Sequence, residues 1–571
     1  MTTPRAILGF CSGTHDSAAA LVLDGKLVGF AEEERLNGDK HTRAYPAHTV
    51  AWLLDFSGIC PESIDIVGYN FQAAGYLAAL TRLPHHLAAP ATRVRALPRA
   101  ANFALEAVLC QRRTQQVRRR FSAADTTQIL HHRAHGLYAF ASSGYDDAAV
   151  LVVDSLGEMQ TTTIAHARRH PTGGCDYDIV DAVHDPASLG YAYGGVTQHL
   201  GWRLGDEEGT VMALAALGDP ARFRSLFAEA IRTTGTGFTL DPRLFTLRIL
   251  SRRFPRVSAE FIARSCPKRR PGDPIEQVHR DLAAALQERT EQVMLKLAAR
   301  ARALTNSRLL CLAGGVTANC VAVGAIVESG LFEEIHVPPA PGDSGTAIGA
   351  ALAAHLDRTG SLPDDVVDRC YLGPAYSDLD LPEHPRPGLT ATRLDHPATF
   401  LARKLADGAI VGLFHGALEA GPRALGNRSI LASPLRAEVV KRLNGTVKFR
   451  EPFRPFAPVT LTDTAADYFT LPQPAPYMSI ASRVTVRARH EIPAVVHTND
   501  TARVQTITHG HNPFLTETLV EFAHITGTPV LINTSLNVKG EPICGTPEMA
   551  LDCLQHSGLD ALMLEGWWVT K

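Results

Sequence analysis

Apolar positions set a repeating rhythm along the first part of the chain. Residues 5–35 read as two or three short strands, AILGF, SAAALVLDG and KLVGFAEEE, with turns at Ser12-Gly13 and Asp24-Gly25. The rhythm returns in AAVLVVDSLGE (148–158), where an apolar strand runs into an aspartate and a glycine turn. In RLLCLAGGVTANC (308–320) a strand meets a double glycine and then a helix. Polar, glycine-containing turns at strand ends can offer backbone N–H groups to a phosphate, so three of them predict a duplicated unit with such a loop in each half. Residues 75–125 are helix-compatible and punctuated by Pro84, Pro90 and Pro98. The stretch 220–305 is expected to be mostly helical, ending in the amphipathic run DLAAALQERTEQVMLKLAARA. After AIGAALAAHL the composition turns to Pro, Asp and Gly, which places a linker at 361–392 between a first domain, 1–360, and a second, 393–571. In the second, strands AIVGLF, APVTL and PVLINTS alternate with helices ATFLARKLAD, ETLVEFAHITG and PEMALDCLQHSG. The predicted class is α/β.

Composition narrows the function classes. The chain has 571 residues with 45% hydrophobic, 20% charged and a formal charge of −2, which gives no electrostatic footprint for nucleic acid or for an anionic membrane. The cluster Arg112, Arg113, Arg118, Arg119 and Arg120 reads as a solvated helix face. Ten cysteines without a CxxC pair, and no secretory leader ahead of the first strand, point to a reducing cytoplasm. Apolar runs stop well short of a membrane span. Cys544, beside a candidate site, is the thiol to watch; the others read as core filler.

His131 and His135 stand at i and i+4 on one helix face, a short interval before the strand that ends at Asp154. With Asp343 in the run PGDSGTAIGAA, two imidazole nitrogens and two carboxylates could hold one divalent metal and leave positions open for a substrate. Iron, zinc and manganese all suit that set. His132 points to another helix face. His15, beside Asp16 in the turn GTHDS, has the chemistry of a general base for a hydroxyl nucleophile; the alternative is a turn histidine capped by its neighbours. In the second domain Arg423, Arg428, Lys448, Arg450, Arg454 and Arg503 are interleaved with Gly and Pro rather than set at helical spacing. That pattern predicts convergence on an anion. Thr534, Ser535 and Asn537 end an apolar strand, where a turn could add donors for a phosphorylated or carboxylated small molecule.

The phosphate turns resemble those of the actin-like ATPase superfamily. More specifically, HDSAAALV, HHRAH, VDSLGE, GGVTAN and PGDSGTAIGAA, followed by EAGPRALGNRSIL, VKFREPFRPFAP, ARVQT and NTSLNVKGEPI, resemble the NodU/CmcH family of O-carbamoyltransferases over essentially the full length. The resemblance implies an N-terminal ASKHA-fold domain, duplicated and ribonuclease H-like, and a C-terminal YrdC-like domain whose KxR and SxN pairs are Lys448/Arg450 and Ser535/Asn537. It further implies that Arg423, Lys448, Arg450, Arg503, Ser535 and Asn537 hold carbamoyl phosphate and ATP, with Mg accompanying the ATP. Carbamoyl adenylate made there would pass through an enclosed passage to the N-terminal domain. In that domain iron(II) would sit on His131, His135, Asp154 and Asp343, nucleotide on Gly314, Gly315 and Asn319, and His15 would deprotonate a small-molecule hydroxyl. Lys448 and Ser535 carry catalytic roles on the same resemblance, and a homodimer is allowed.

Two departures stand out: Thr210 replaces the lysine that family members carry after EG, and ALAALG lacks the Pro-Tyr before its last glycine. The acceptor is not readable, although the preference for Arg and Ala fits a GC-rich genome and favours an antibiotic or other natural product. Two further readings share parts of the pattern. A tRNA threonylcarbamoyl transferase fusion is opposed by the near-neutral charge. A kinase of the actin-like superfamily leaves HHRAH and the second domain without a purpose.

Overall fold

Every residue of the strand Ala6–Cys11 (β1) is buried, and so are most of its neighbours, because helices cover both faces of its sheet. The computed structural model describes residues 5–171, 173–251 and 254–571, apart from the side chain of residue 364. Two compact units are distinguishable, one comprising residues up to 30 with 43–369, the other 31–42 with 370–571.

The first unit carries the same sheet twice. β1, Ala18–Leu23 (β2), Lys26–Glu32 (β3), Ile66–Tyr69 (β4) and Asp125–Gln128 (β5) form a sheet of order β3-β2-β1-β4-β5, in which β1 is antiparallel to β2 and parallel to β4. Asp147–Gly157 (β6), Gln160–Arg169 (β7) and Cys175–His184 (β8) precede a small hairpin, Ile231–Thr234 (β9) and Gly237–Leu240 (β10). Leu309–Ala313 (β11) and Glu334–His336 (β12) then complete the second sheet, ordered β12-β11-β6-β7-β8, with β6 antiparallel to β7 and parallel to β11. Counted within each sheet, the order is identical.

The helices His131–Ser143 and Thr346–Thr359 are buried along most of their length and pack on one another. Their small residues are the reason: a Cβ on Gly349 would collide with the carbonyl oxygen of Ala134, so only glycine permits this approach. The helical expectation for 75–125 is met by Ala73–Thr81, Leu83–Ala88 and Arg93–Arg120. Pro98 sits inside the last of these without ending it, since Val94, whose carbonyl would lose its partner, is exposed to water. The arginines 112 and 118–120 are exposed, and Arg113 is half-buried against Glu106. The expectation for 220–305 holds at Arg224–Ala230, Ala259–Arg264 and Gln277–Thr305 and fails elsewhere: TTGTG pairs β-branched residues with flexible glycines and folds as the β9–β10 hairpin, and 241–251, 254–258 and 265–276 carry no helix.

In the second unit, Thr390–Arg393 (β13), Val411–Phe414 (β14), Arg428–Ala432 (β15), Ala457–Leu461 (β16), Ala481–Arg483 (β17), Thr501–Arg503 (β18), Gln505–Ile507 (β19), Val530–Ser535 (β20), Ala561–Leu564 (β21) and Trp567–Thr570 (β22) are the strands. Eight of them form one mixed sheet, β13-β22-β21-β14-β15-β20-β16-β19, and β17 pairs with β18. Alternate residues feed two cores. Val411, Leu413, Leu431 and Leu531 meet the helices Pro397–Ala406 and Pro513–Thr526, while Phe414, Ile430 and Ile532 meet Pro547–His556. Residues 31–42 join this unit through Glu32, which accepts a hydrogen bond from Gly421 N at 2.8 Å, and Arg35, which donates to Gly421 O at 2.9 Å. Among the described residues no helix is long and apolar enough to cross a membrane.

Candidate metal centre and cation cluster

The residues that bracket the first site arrive from three local irregularities. His131 opens its helix directly after β5, and His135 follows one turn later. The β6–β7 ladder loses register between Val153 and Gly157, and this bulge leaves Asp154 outside the regular pairing. Asp343 starts the 3-10 turn Asp343–Gly345 ahead of Thr346–Thr359.

All four side chains are buried, with their donor atoms within 4.8 Å of one another. His131 Nε2 lies 3.4 Å from Asp154 Oδ2, 3.5 Å from Asp343 Oδ1 and 3.1 Å from His135 Nε2. His135 Nε2 lies 3.8 Å from each carboxylate oxygen. Donors about 2.1 Å from a common ion are separated by roughly 3.0–3.4 Å at octahedral or tetrahedral angles, so the set fits a transition metal in size and in chemistry. Burial pushes the pKa of His131 down, yet Asp343 and Asp154 overcome it and raise the group to about 10. Burial likewise opposes ionisation of both carboxyls, but neighbouring imidazoles hold them well below the usual range. The four side chains could hold a metal ion between them.

Surrounding groups fix the donors. His131 Nδ1 donates to Asn70 O at 3.3 Å, leaving Nε2 for the carboxylates, and Phe71 stacks on the ring at 4.3 Å. Glu158, buried and raised to about 7 by desolvation, accepts from Gln72 N and, at 3.4 Å, from His131 N. Thr14 donates to Asp343 Oδ2 at 2.7 Å. Gly315 N donates to Asp154 Oδ1 at 3.2 Å; Gly314, at φ 91°, could carry no Cβ without striking Val153 O. Thr14 lies in the GTHDS turn and Glu158 closes the VDSLGE motif already singled out, whereas Asn70 carries no signal of its own.

His15 is one-third exposed, with Nδ1 2.7 Å from Asp16 Oδ2. Burial lowers its pKa, and Asp16, Asp343 and Asp154 together raise it to about 10. Asn319 occupies a framework position: it caps the helix Cys320–Glu328 through Ala322 N and exchanges amide hydrogen bonds with Gln287. His132 turns to Thr163 Oγ1 at 3.2 Å, away from the donor set, and burial drops it to about 3. Thr210 is buried inside the helix Glu208–Ala215.

In the second unit Lys448 ends a π-helical turn, Leu443–Lys448, that aims its Nζ at the β20 end. Nζ donates to Ser535 O, to Ser535 Oγ at 3.1 Å, to Asn537 O at 3.0 Å and to Asn537 Oδ1 at 2.8 Å. Burial, then Arg450 and Arg454, drops this amine to about 7. Arg450, held by Asn444 and stacked on Phe456 at 4.3 Å, is likewise pushed down by burial and by Arg454 and Arg503. Cations that depress one another call for an anion. Arg428 is a correction to the expected cluster. It is fully buried over Phe414 at 3.6 Å and donates to the carbonyls of His415, Asn427, Pro374 and Gly416, so its guanidinium is consumed by the framework. Arg423 lies half-buried in a loop shaped by Glu419, whose Oε1 accepts from the backbones of Leu425, Asn427 and Arg428.

The family profiles decide what these two sites belong to: the carbamoyltransferase N-terminus matches residues 6–352 and the carbamoyltransferase C-terminus residues 402–571. The chain belongs to the carbamoyltransferase family. This carbamoyltransferase is 33% identical over 570 residues to the nodulation protein NolNO of Sinorhizobium fredii, covering 98% of this chain and 79% of that protein. It is 31% identical to nodulation protein U of Rhizobium fredii, with 96% and 93% covered. An uncharacterized protein of Synechocystis is 32% identical over 99% of this chain and 96% of its own. Among solved structures, component A of (R)-2-hydroxyglutaryl-CoA dehydratase from Acidaminococcus fermentans aligns at 12% identity and a TM-score of 0.30 over 62% of this chain and 99% of that one, a likeness too weak to carry an argument. Carbamoyl transfer is the activity of this enzyme.

Proposed function

We propose that this carbamoyltransferase forms carbamoyl adenylate on its second unit and transfers the carbamoyl group to a small-molecule hydroxyl on its first. The observation that carries the reading is that the buried donor set of His131, His135, Asp154 and Asp343 lies in one unit and the Lys448 and Arg450 cluster in the other, which suits two successive half-reactions. The repeated five-stranded sheet supports an ASKHA assignment for the first unit, and the Lys448, Ser535 and Asn537 constellation supports a YrdC-like role for the second.

Lys448, Arg450, Arg503 and Arg423 would hold carbamoyl phosphate and the phosphates of Mg-bound ATP, with Ser535 and Asn537 orienting Lys448. One water would cleave carbamoyl phosphate to carbamate and phosphate, and the carbamate oxygen would then attack the α-phosphate of ATP and expel pyrophosphate. Preorganised cations in a buried site stabilise that exchange because no water must reorganise. On the first unit the four donors would hold a divalent metal, iron(II) on this reading, which supplies Lewis acidity and a template for the adenylate phosphate. Gly314 and Gly315, whose N–H groups donate to Pro341 O and Asp154 Oδ1, would receive the nucleotide by leaving room for it beside the backbone. His15, oriented by Asp16, would take the acceptor's hydroxyl proton as AMP departs, provided that a cation on the donor set offsets Asp343 and Asp154, whose charges otherwise help keep the imidazole protonated.

The acceptor is proposed to be an antibiotic or another natural product, and the ten free thiols suit a reducing cytoplasm. Incubation with carbamoyl phosphate and ATP tests the scheme: phosphate and pyrophosphate are expected, and ADP in their place would refute adenylation.

A further inference from the structure

Outside the donor set, the first unit buries an unbalanced charge. Arg99 and Arg248 are 1% and 5% exposed, and both pair with Asp185, which is fully buried. Arg99 Nη2 lies 2.5 Å from Asp185 Oδ2, and Arg248 Nε lies 3.1 Å from Asp185 Oδ1. Two guanidiniums thus share one carboxylate, and because the Arg248–Asp185 contact is not aligned as a hydrogen bond, neither Nε nor Nη2 of Arg248 has a hydrogen-bond partner among the described residues. Leaving such a donor unsatisfied is expensive, and the site is short of one negative charge.

The position of Arg248 says where that charge would come from. Its guanidinium packs over the ring of Tyr191 at 4.6 Å, and Arg256 lies at the same distance from that ring. Tyr191 belongs to the first turn of the helix Leu189–His199, whose N-cap Ser188 donates to Ser155 O at 2.7 Å. Ser155 directly follows the proposed metal ligand Asp154. Burial lowers the pKa of Arg248, while Asp185, Tyr191 and Asp154 oppose that shift, so Arg248 is within electrostatic reach of the donor set.

We propose that Arg248 is a phosphate-binding residue of the first unit, placed by Asp185 and Tyr191 to hold the adenylate phosphate beside the donor set. The inference rests on the adenylate reading above. A guanidinium suits this task because it stays charged when buried and can grip two phosphate oxygens at once.

The test is calorimetric titration with AMP and with adenosine, in the full chain carrying Lys448→Ala to remove one cation from the other cluster. The parent should prefer AMP to adenosine. Arg248→Gln should cut AMP affinity by about 10- to 100-fold, the span expected for a lost charge-assisted pair, while adenosine affinity and metal content stay unchanged. Arg248→Lys keeps the charge and should restore part of the preference, which a merely structural arginine would not do. If Arg248→Gln unfolds, the Lys variant with its lost bidentate grip still reports an intermediate preference. A preference for AMP that survives both substitutions overturns the proposal and leaves the adenylate reading standing. No preference in the parent overturns both.

Discussion

Nε2 of His131 and Nε2 of His135 lie 3.1 Å apart, each facing the carboxylates of Asp154 and Asp343. Two imidazoles converge this closely in a buried site when a shared proton or a shared cation holds them. Purified protein should therefore contain about one transition metal per chain, and His135→Ala should lose both metal and transfer. Full occupancy in a His131→Ala/His135→Ala double variant, measured by elemental analysis, would falsify the donor set.

The same site depends on a residue that touches no ligand. Because Gly349 leaves no room for a Cβ against Ala134 O, Gly349→Ala must push the helix His131–Ser143 away from Thr346–Thr359. Metal content should drop and thermal stability should fall by about 1–3 kcal/mol, the usual range for overpacking. Normal metal content in a folded variant would mean that the helix pair tolerates the shift.

Division of labour between the units can be read directly. Lys448→Ala and Ser535→Ala should make no carbamoyl adenylate, yet transfer from chemically supplied adenylate should persist. Loss of that second step in a folded variant would contradict the assignment.

His15→Asn keeps a polar group in the turn but accepts no proton near neutral pH. Transfer should slow by about 10²–10⁴-fold with adenylate accumulating, as for removal of a general base. Near-normal product in a quenched-flow assay would reduce His15 to a turn residue.

Lys448 also predicts a pH dependence of stability. Its folded value, about 7, lies below that of a lysine in the unfolded chain. Between these values the unfolded chain holds a proton that the folded chain does not, so stability falls as pH drops from about 10.4 to about 7 and levels off below. Lys448→Met should flatten that slope in melting curves, and inorganic sulfate, which favours the charged amine, should flatten it in the parent. An unchanged slope in Lys448→Met would assign the dependence elsewhere.

Local chemistry made much of this legible without coordinates. The i, i+4 spacing of His131 and His135, the apolar run into Asp154, and the glycine turns at 24–25 and 314–315 are short-range signals, and each lies where its pattern directs. The short continuous apolar runs in AIVGLF and PVLIN were enough to expect strands buried on both faces.

What tertiary structure alone decided is where distant segments meet. No local pattern could say that Arg428 would spend its guanidinium on four carbonyls while Lys448, twenty positions later, faces Ser535 and Asn537. Nothing in AEEERLNGDKHT announces that residues 31–42 pack with the loop at Gly421, or that Asn319 would be taken up by Gln287. The charge imbalance at Arg248 is of the same kind: it exists only because Arg99, Asp185 and Arg248, far apart in sequence, are buried together. Propensity and periodicity report on neighbours along the chain, whereas desolvation and unsatisfied charge depend on neighbours in space.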